Sequence, residues 1–396
     1  MSNEYAFSKR TDWPLAVNRI TSTLDELRSQ GTDVLDLTES NPTRCGFLYP
    51  VDKYLSPLMN ERNLHYTPSC QGLFGARQAV SEYYNKRGIQ VPIDRIFLVS
   101  STSEAYSVIF RLLADFGDHI LFPQPSYPLF QFLVDLNDLN MDRYHLLYDD
   151  GWKIDFAHFY DQITERTKAV VLVNPNNPTG SYIDGQQSRQ LNDICLGNHM
   201  AIISDEVFWD FAFDQSHKKI SLVENDEVLS FSLGGISKVL GLPQMKLSWI
   251  IVNGPREIVR EAMKRLEVIC DTYLSVSAVV QNALEVWLSH SDDIQKQMKD
   301  RIQKNFDFLK EQLRSTQSCR LLKCEGGWYA VVKIPRTRSE EEWVLKFLGN
   351  YHVLVHPGFF FDFNEEAYMV VSLLTVPAIF EEGMLRVLSR IEQEMV

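Results

Sequence analysis

Short runs that are apolar at consecutive positions, rather than at alternate ones, constrain the fold of this chain most tightly. They fall at 96–99, 119–122, 169–173, 200–203, 228–231 and 249–252, are rich in Val, Ile, Leu and Phe, and are bounded by Gly, Pro, Asp or Ser. Continuous hydrophobicity in so short a run means a strand covered on both faces, which is the mark of a mostly parallel sheet between helices. Amphipathic stretches at helical spacing lie between the runs, for example at 103–116 and 185–196. The reading is an α/β fold with a large domain built on that sheet.

Beyond residue 275 the pattern changes. Residues 279–314 carry apolar positions at helical spacing among many charges and predict one or two long amphipathic helices. Strand-like runs follow at 328–332, 353–355 and 369–373, then a last helix at 378–394. This predicts a smaller α+β domain. A first segment of ~45 residues is too short to hold a core alone and is expected to pack on it. The expected division is 46–290 for the large domain, and 1–45 with 291–396 for the small one.

Composition narrows the function classes. The chain has 396 residues, 39 basic and 52 acidic, for a net charge of −13. That balance speaks against a nucleic-acid partner and for a freely diffusing protein. The first residues lack the apolar core of a signal peptide, and no run is long enough to span a membrane. Six cysteines are scattered without a CxxC pair, so reduced thiols, a cytoplasmic setting and no metal site are expected.

Chemistry concentrates at the ends of the apolar runs. Residues 171–180 read Val-Leu-Val-Asn-Pro-Asn-Asn-Pro-Thr-Gly. Two Asn-Pro pairs and a glycine bend the chain sharply where the strand stops, and X-Pro is the bond that takes a cis form cheaply. In an open α/β sheet ligands bind at such strand ends. Asp205 closes the next apolar run, and Lys238 follows a Ser- and Gly-rich loop in which Gly234 and Gly235 allow close backbone approach to a ligand. A desolvated lysine can attack a carbonyl and form a Schiff base. A buried carboxylate can keep a pyridine nitrogen protonated, and Asn177 can donate to a phenolic oxygen beside it. Ser100-Ser101-Thr102-Ser103 lead from a strand into a helix and offer hydroxyls and free amides to a phosphate. There is no GxxxxGK[ST] loop and no GxGxxG.

A lysine nucleophile, a pyridinium partner, a phenolate donor and a phosphate seat together describe a site for pyridoxal 5'-phosphate (PLP). In the order and spacing of these motifs, over nearly its whole length, the chain resembles the aspartate aminotransferase-like family, the fold-type I, class I/II PLP enzymes. The resemblance implies Lys238 as the Schiff-base lysine, Asp205 as the pyridinium partner and Asn177 as the phenolate donor. It implies phosphate contacts from Ser101, Thr102, Ser103 and Ser237, and a ring-stacking aromatic at Tyr127. Tyr66 resembles a tyrosine that reaches the phosphate of the neighbouring subunit, which implies a homodimer. Asn41 lies in a segment like the one that lines the substrate pocket.

Three departures accompany the resemblance. Phe208 stands where the family has a tyrosine whose hydroxyl meets the same phenolate oxygen as Asn177, which predicts a more basic Schiff base. Lys246 replaces a phosphate-binding arginine. Val370 occupies the place of the arginine that clamps the substrate's α-carboxylate, so either Arg44, Lys333 or His356 substitutes or the substrate differs, while Arg386 reads as a surface residue. The aromatics Trp328, Tyr329, Phe359, Phe360 and Phe361 read as pocket lining or as core. The expected activity is a ping-pong aminotransferase acting between an amino acid and a 2-oxo acid. A PLP-dependent lyase, decarboxylase or cyclase, and a non-catalytic PLP-binding regulator, are the alternatives.

Overall fold

The computed structural model describes residues 6–214 and 219–395. Eight strands form the main sheet: β1 Ile96–Val99, β2 His119–Gln124, β3 Asn140–Tyr148, β4 Trp152–Ile154, β5 Thr167–Val173, β6 Ala201–Asp205, β7 Ser230–Gly235 and β8 Ser248–Asn253. Their order is β1-β8-β7-β6-β5-β2-β3-β4. The pairs β7–β6, β6–β5, β5–β2 and β2–β3 are parallel, while β8 runs against both its neighbours and β4 runs against β3. The mostly parallel sheet expected from the apolar runs is present.

Alternate residues of those runs serve opposite faces. Ala169, Val171, Ile203 and Phe231 pack with helices α1 Thr102–Leu113 and, through Val259 and Leu266, Arg256–Tyr273. Val170, Leu172 and Ile202 pack against Leu191, Ile194 and Cys195 of the helix Gly185–Gly197. Both faces are dry, which is why the strands show no polar alternation.

In the main sheet the sequence reading missed β3 and β4 and displaced β7. β3 lies towards an edge of the sheet and only Tyr144 in it is buried, so its run alternates with polar residues. β7 begins at Ser230, two residues later than the apolar run 228–231 suggests, and ends in Gly234 and Gly235. A Cβ on Gly234 would lie 2.4 Å from the Trp249 indole nitrogen, and one on Gly235 would lie 2.3 Å from Ser248 Oγ. The glycine pair is thus required by contact with β8 rather than by a ligand.

The second sheet is antiparallel: β9 Arg320–Leu321, β10 Tyr329–Lys333, β11 His356–Pro357 and β12 Tyr368–Ser372, in the order β9-β10-β12-β11. Leu35–Asp36 pairs in parallel with Val353–Leu354, tying the N-terminal segment to the C-terminal part. Residues 279–314 form two helices, Ala278–Ser289 and Ser291–Arg314, and the last helix is Pro377–Met395. Among the described residues no helix is long and apolar enough to cross a membrane.

The turn after β5 has cis bonds at Asn174-Pro175 and Asn177-Pro178. Gly180 closes it at φ +68°, donating to Asn176 O (2.7 Å) and accepting from Glu325 N (3.1 Å). A Cβ there would sit 2.3 Å from both Cys324 Sγ and Gly326 O. Gly180→Ala combines positive φ with overpacking and is expected to cost about 2–3 kcal/mol. The check is a drop of several degrees in the thermal midpoint; an unchanged midpoint would contradict this packing.

Candidate active site

Strands β1, β2, β5, β6 and β7 all point the same way, because β1 and β7 each run against β8. Their carboxyl ends therefore open on one edge of the sheet. Ser100–Ser103, Gln124–Tyr127, the 174–180 turn, Asp205 and Lys238 follow those ends in turn, so residues far apart in sequence meet at one cleft.

Asp205, the last residue of β6, is 9% exposed. Its Oδ2 accepts from the Tyr106 hydroxyl (2.9 Å) and its Oδ1 from Val207 N (3.2 Å). Burial pushes its carboxyl above the ordinary range, while the two donors and the charge of Lys238 pull it back.

Lys238 lies on the one-turn helix Ile236–Val239 that continues from β7. Its Nζ sits 4.9 Å from the Trp328 ring centroid and 5.4 Å from that of Phe208. Buried beside the two rings, the ammonium is desolvated and pulled down to about 8, with the charge of Asp205 opposing. A lysine at that value is a usable nucleophile and base at neutral pH.

Asn177 is 8% exposed, and its Oδ1 is buried without a hydrogen-bond partner among the described residues. An acceptor orphaned in this way is uncommon in a finished core; a half-turn of the amide brings Nδ2 to the same place, where it can donate to a ligand's oxygen. Phe208 is buried edge-on to Trp328 at 5.2 Å and brings no hydroxyl to that place. Tyr127 is partly exposed and stands edge-on to Phe130 at 5.8 Å. Its hydroxyl pKa is raised by burial and then by the Asp205 charge.

At the start of α1 Ser101 Oγ accepts from Glu104 N (3.1 Å) and caps its own helix. The hydroxyls of Thr102, Ser103 and Ser237 have no such bond among the described residues, and the amides of Thr102 and Ser103 have no partner within the helix. Glu104 accepts from Ser100 N (2.6 Å), Ser100 Oγ (2.7 Å) and Ser275 Oγ (2.9 Å), fixing the loop from behind. Lys246 is exposed at φ 54° and makes no ion pair among the described residues.

Some expected residues are placed differently. Tyr66 is 81% exposed and lines a cavity with Val99, Glu104 and Ser275, next to the start of α1. Asn41 Oδ1 accepts from Thr43 N (3.1 Å) and Thr43 Oγ1 (2.8 Å), so that end of its amide is occupied as a local cap. Val370 is buried at the centre of β12, between Val331 and His356. Arg44 is exposed and 3.9 Å from Glu39, and Lys333 is exposed at the end of β10. Burial pulls His356 down to about 4, so it is neutral at physiological pH. Arg386 is tied to Glu382 (2.8 Å) and Tyr351 O (3.0 Å) on the surface.

Two contacts lay beyond the reach of sequence reasoning: the Tyr106 bond to Asp205 and the Glu104 brace on Ser100 and Ser275. The only signal for the first is that a tyrosine buried on a helix's apolar face needs a partner for its hydroxyl. Trp328 is fully buried and also meets Lys238, so it is both core and lining. Among the described residues no cluster of His, Cys, Asp and Glu is suited to a metal ion.

These groups fit PLP: a desolvated lysine, a buried carboxylate, an orphaned amide and free helix amides surround one cleft. Comparison with known proteins agrees. Residues 32–379 match the family described as Aminotransferase class I and II. The chain is 25% identical over 360 residues to a glutamate-pyruvate aminotransferase of Haemophilus influenzae, covering 88% of each. It is 27% identical over 363 residues to an alanine aminotransferase of Mycobacterium tuberculosis, covering 89% of this chain and 83% of the relative. An alanine aminotransferase from Pyrococcus furiosus superposes with a TM-score of 0.89 at 25% identity, covering 98% of this chain and all of the other. The chain belongs to the class I and II aminotransferase family and is a PLP-dependent aminotransferase.

Proposed function

We propose that this cleft moves an amino group between an amino acid and a 2-oxo acid in ping-pong fashion, with Lys238 and Asp205 as its catalytic pair. The observation that carries the reading is Lys238, an amine lowered to about 8 between two aromatic rings, in the same cleft as a buried carboxylate. When bound, PLP supplies an aldehyde that takes up amines and a ring that draws electrons from the carbon bearing the nitrogen. Lys238 Nζ holds the group until a substrate amine displaces it. Nζ then takes the proton from the substrate's Cα and returns it one position away. Asp205 faces the ring nitrogen and favours its protonated state, and Asn177 donates to the phenolic oxygen. Thr102, Ser103, Ser237 and Lys246, with Ser101 through its backbone, hold the phosphate, and Tyr127 covers the ring. Phe208 packs beside Lys238, and Asn41 borders the substrate.

The division into 46–290 and 1–45 with 291–396 belongs to the same proposal, supported by the pairing of Leu35–Asp36 with Val353–Leu354. So does a homodimer in which Tyr66 reaches the neighbouring site. Its support is an exposed apolar group in that region, Met59, Leu64, Tyr66 and Phe74. A cytoplasmic setting agrees with the six cysteines, which are all unpaired.

Because the named relatives act on alanine and glutamate-pyruvate pairs, alanine and glutamate are the first donors to test. PLP-loaded protein mixed with one donor and no acceptor should form keto acid up to the number of sites and then stop. Ammonia or carbon dioxide in place of keto acid, or no keto acid from any donor, would overturn the reading.

A further inference from the structure

We propose that Tyr106 is a positioning residue for Asp205, and that helix α1 thereby holds both ends of the cofactor. The proposal rests on the reading that Asp205 meets the ring nitrogen. α1 spans Thr102–Leu113, and its first turn carries Thr102 and Ser103 at the phosphate seat. Residues three and four apart share a face of a helix, so Tyr106 stacks one turn above those two. Its hydroxyl reaches across to Asp205 Oδ2 at 2.9 Å, with both residues buried.

The ring of Tyr106 is itself held. It stands edge-on to Phe130 at 5.3 Å and lies 5.9 Å from Phe110. Phe130 in turn meets Tyr127 at 5.8 Å, so one aromatic column braces the carboxylate and the ring-covering tyrosine together. Asp205 has one backbone donor, Val207 N, and one side-chain donor, Tyr106. Without the hydroxyl, Oδ2 would be buried and unpartnered, and the carboxylate would be free to rotate and easier to protonate.

The charged and titratable groups around Asp205 are Tyr106, Tyr127, Glu206 and Lys238. Lys238 and the two hydrogen-bond donors favour the carboxylate, and the adjacent Glu206 disfavours it when charged. Removing one donor therefore raises the pH at which Asp205 takes up a proton. PLP binding that depends on the carboxylate is present above that pH and lost as pH falls through it.

The test is titration of apo-protein with PLP across pH for wild type, Tyr106→Phe, Asp205→Asn and the double variant, with the apo thermal midpoint as a check on folding. Loss of one charge-assisted bond predicts a Kd about tenfold higher for Tyr106→Phe, and an affinity loss that begins at higher pH than in wild type. In the Asp205→Asn background the Tyr106 substitution should add little, because the two act as a unit. An unchanged Kd and pH dependence for Tyr106→Phe, beside weakened binding for Asp205→Asn, would overturn this inference and leave the role of Asp205 standing. A lowered midpoint with unchanged pH dependence would also overturn it, since that is a packing effect alone. Unchanged binding by Asp205→Asn would overturn both.

Discussion

Replacing Lys238 with alanine is expected to abolish the visible absorbance that PLP acquires through its link to the protein, and to cut turnover by at least about 10⁴-fold. Two jobs are lost with one nitrogen: holding the cofactor and moving the proton at the substrate's carbon. The rings of Trp328 and Phe208 that flank Nζ can take over neither job. The lowered pKa adds a pH signature. Only the neutral amine attacks an aldehyde, so capture of PLP by apo wild type should rise about tenfold per pH unit up to about 8 and level off above it. Rapid mixing followed by absorbance reads this directly. A rise continuing to pH ~10 would mean that Lys238 is an ordinary solvated lysine.

The second large effect is expected at Asn177. With Phe208 lacking a hydroxyl, Asn177 is the side chain in this constellation that can donate to the phenolic oxygen. Asn177→Ala should lower kcat/KM by about 10²-fold, the usual range for one donor aimed at developing charge. Phe208→Tyr in the same background supplies a hydroxyl beside Lys238 and should recover about tenfold of that loss. Steady-state kinetics on the two variants check both statements. Loss of less than about threefold for Asn177→Ala would show that the orphaned amide serves another purpose.

Much of this was legible in the sequence because parallel strands buried on both faces write their position as unbroken apolar runs. Residues 169–173 and 200–203 marked β5 and β6 to within two residues, and the polar residues that end such runs are the ones proposed for the site. β3 escaped because only Tyr144 in it is buried, so its pattern resembles a loop. Gly234 and Gly235 read as leaving room for a ligand, but the close partner is β8, a contact between strands that no local pattern displays. Tyr106 was invisible for the same reason: its apolar neighbours on α1 make it look like core, and Asp205 lies 99 residues away. Val370 shows the reverse case. Its substitution for arginine stood out by resemblance, yet only the fold shows it enclosed between Val331 and His356, with Arg44 and Lys333 both exposed.

Borohydride reduction of the PLP-loaded protein, followed by digestion and mass spectrometry, reads the linkage at residue level. A carbon–nitrogen double bond between cofactor and lysine becomes a stable secondary amine, so the label stays on the residue that held it. The label is expected on the peptide containing Lys238, about one per chain, and absent from Lys238→Ala. A label on Lys246 or another lysine with Lys238 unmodified, or no label at all on protein saturated with PLP, would contradict the placement of the cofactor in this cleft.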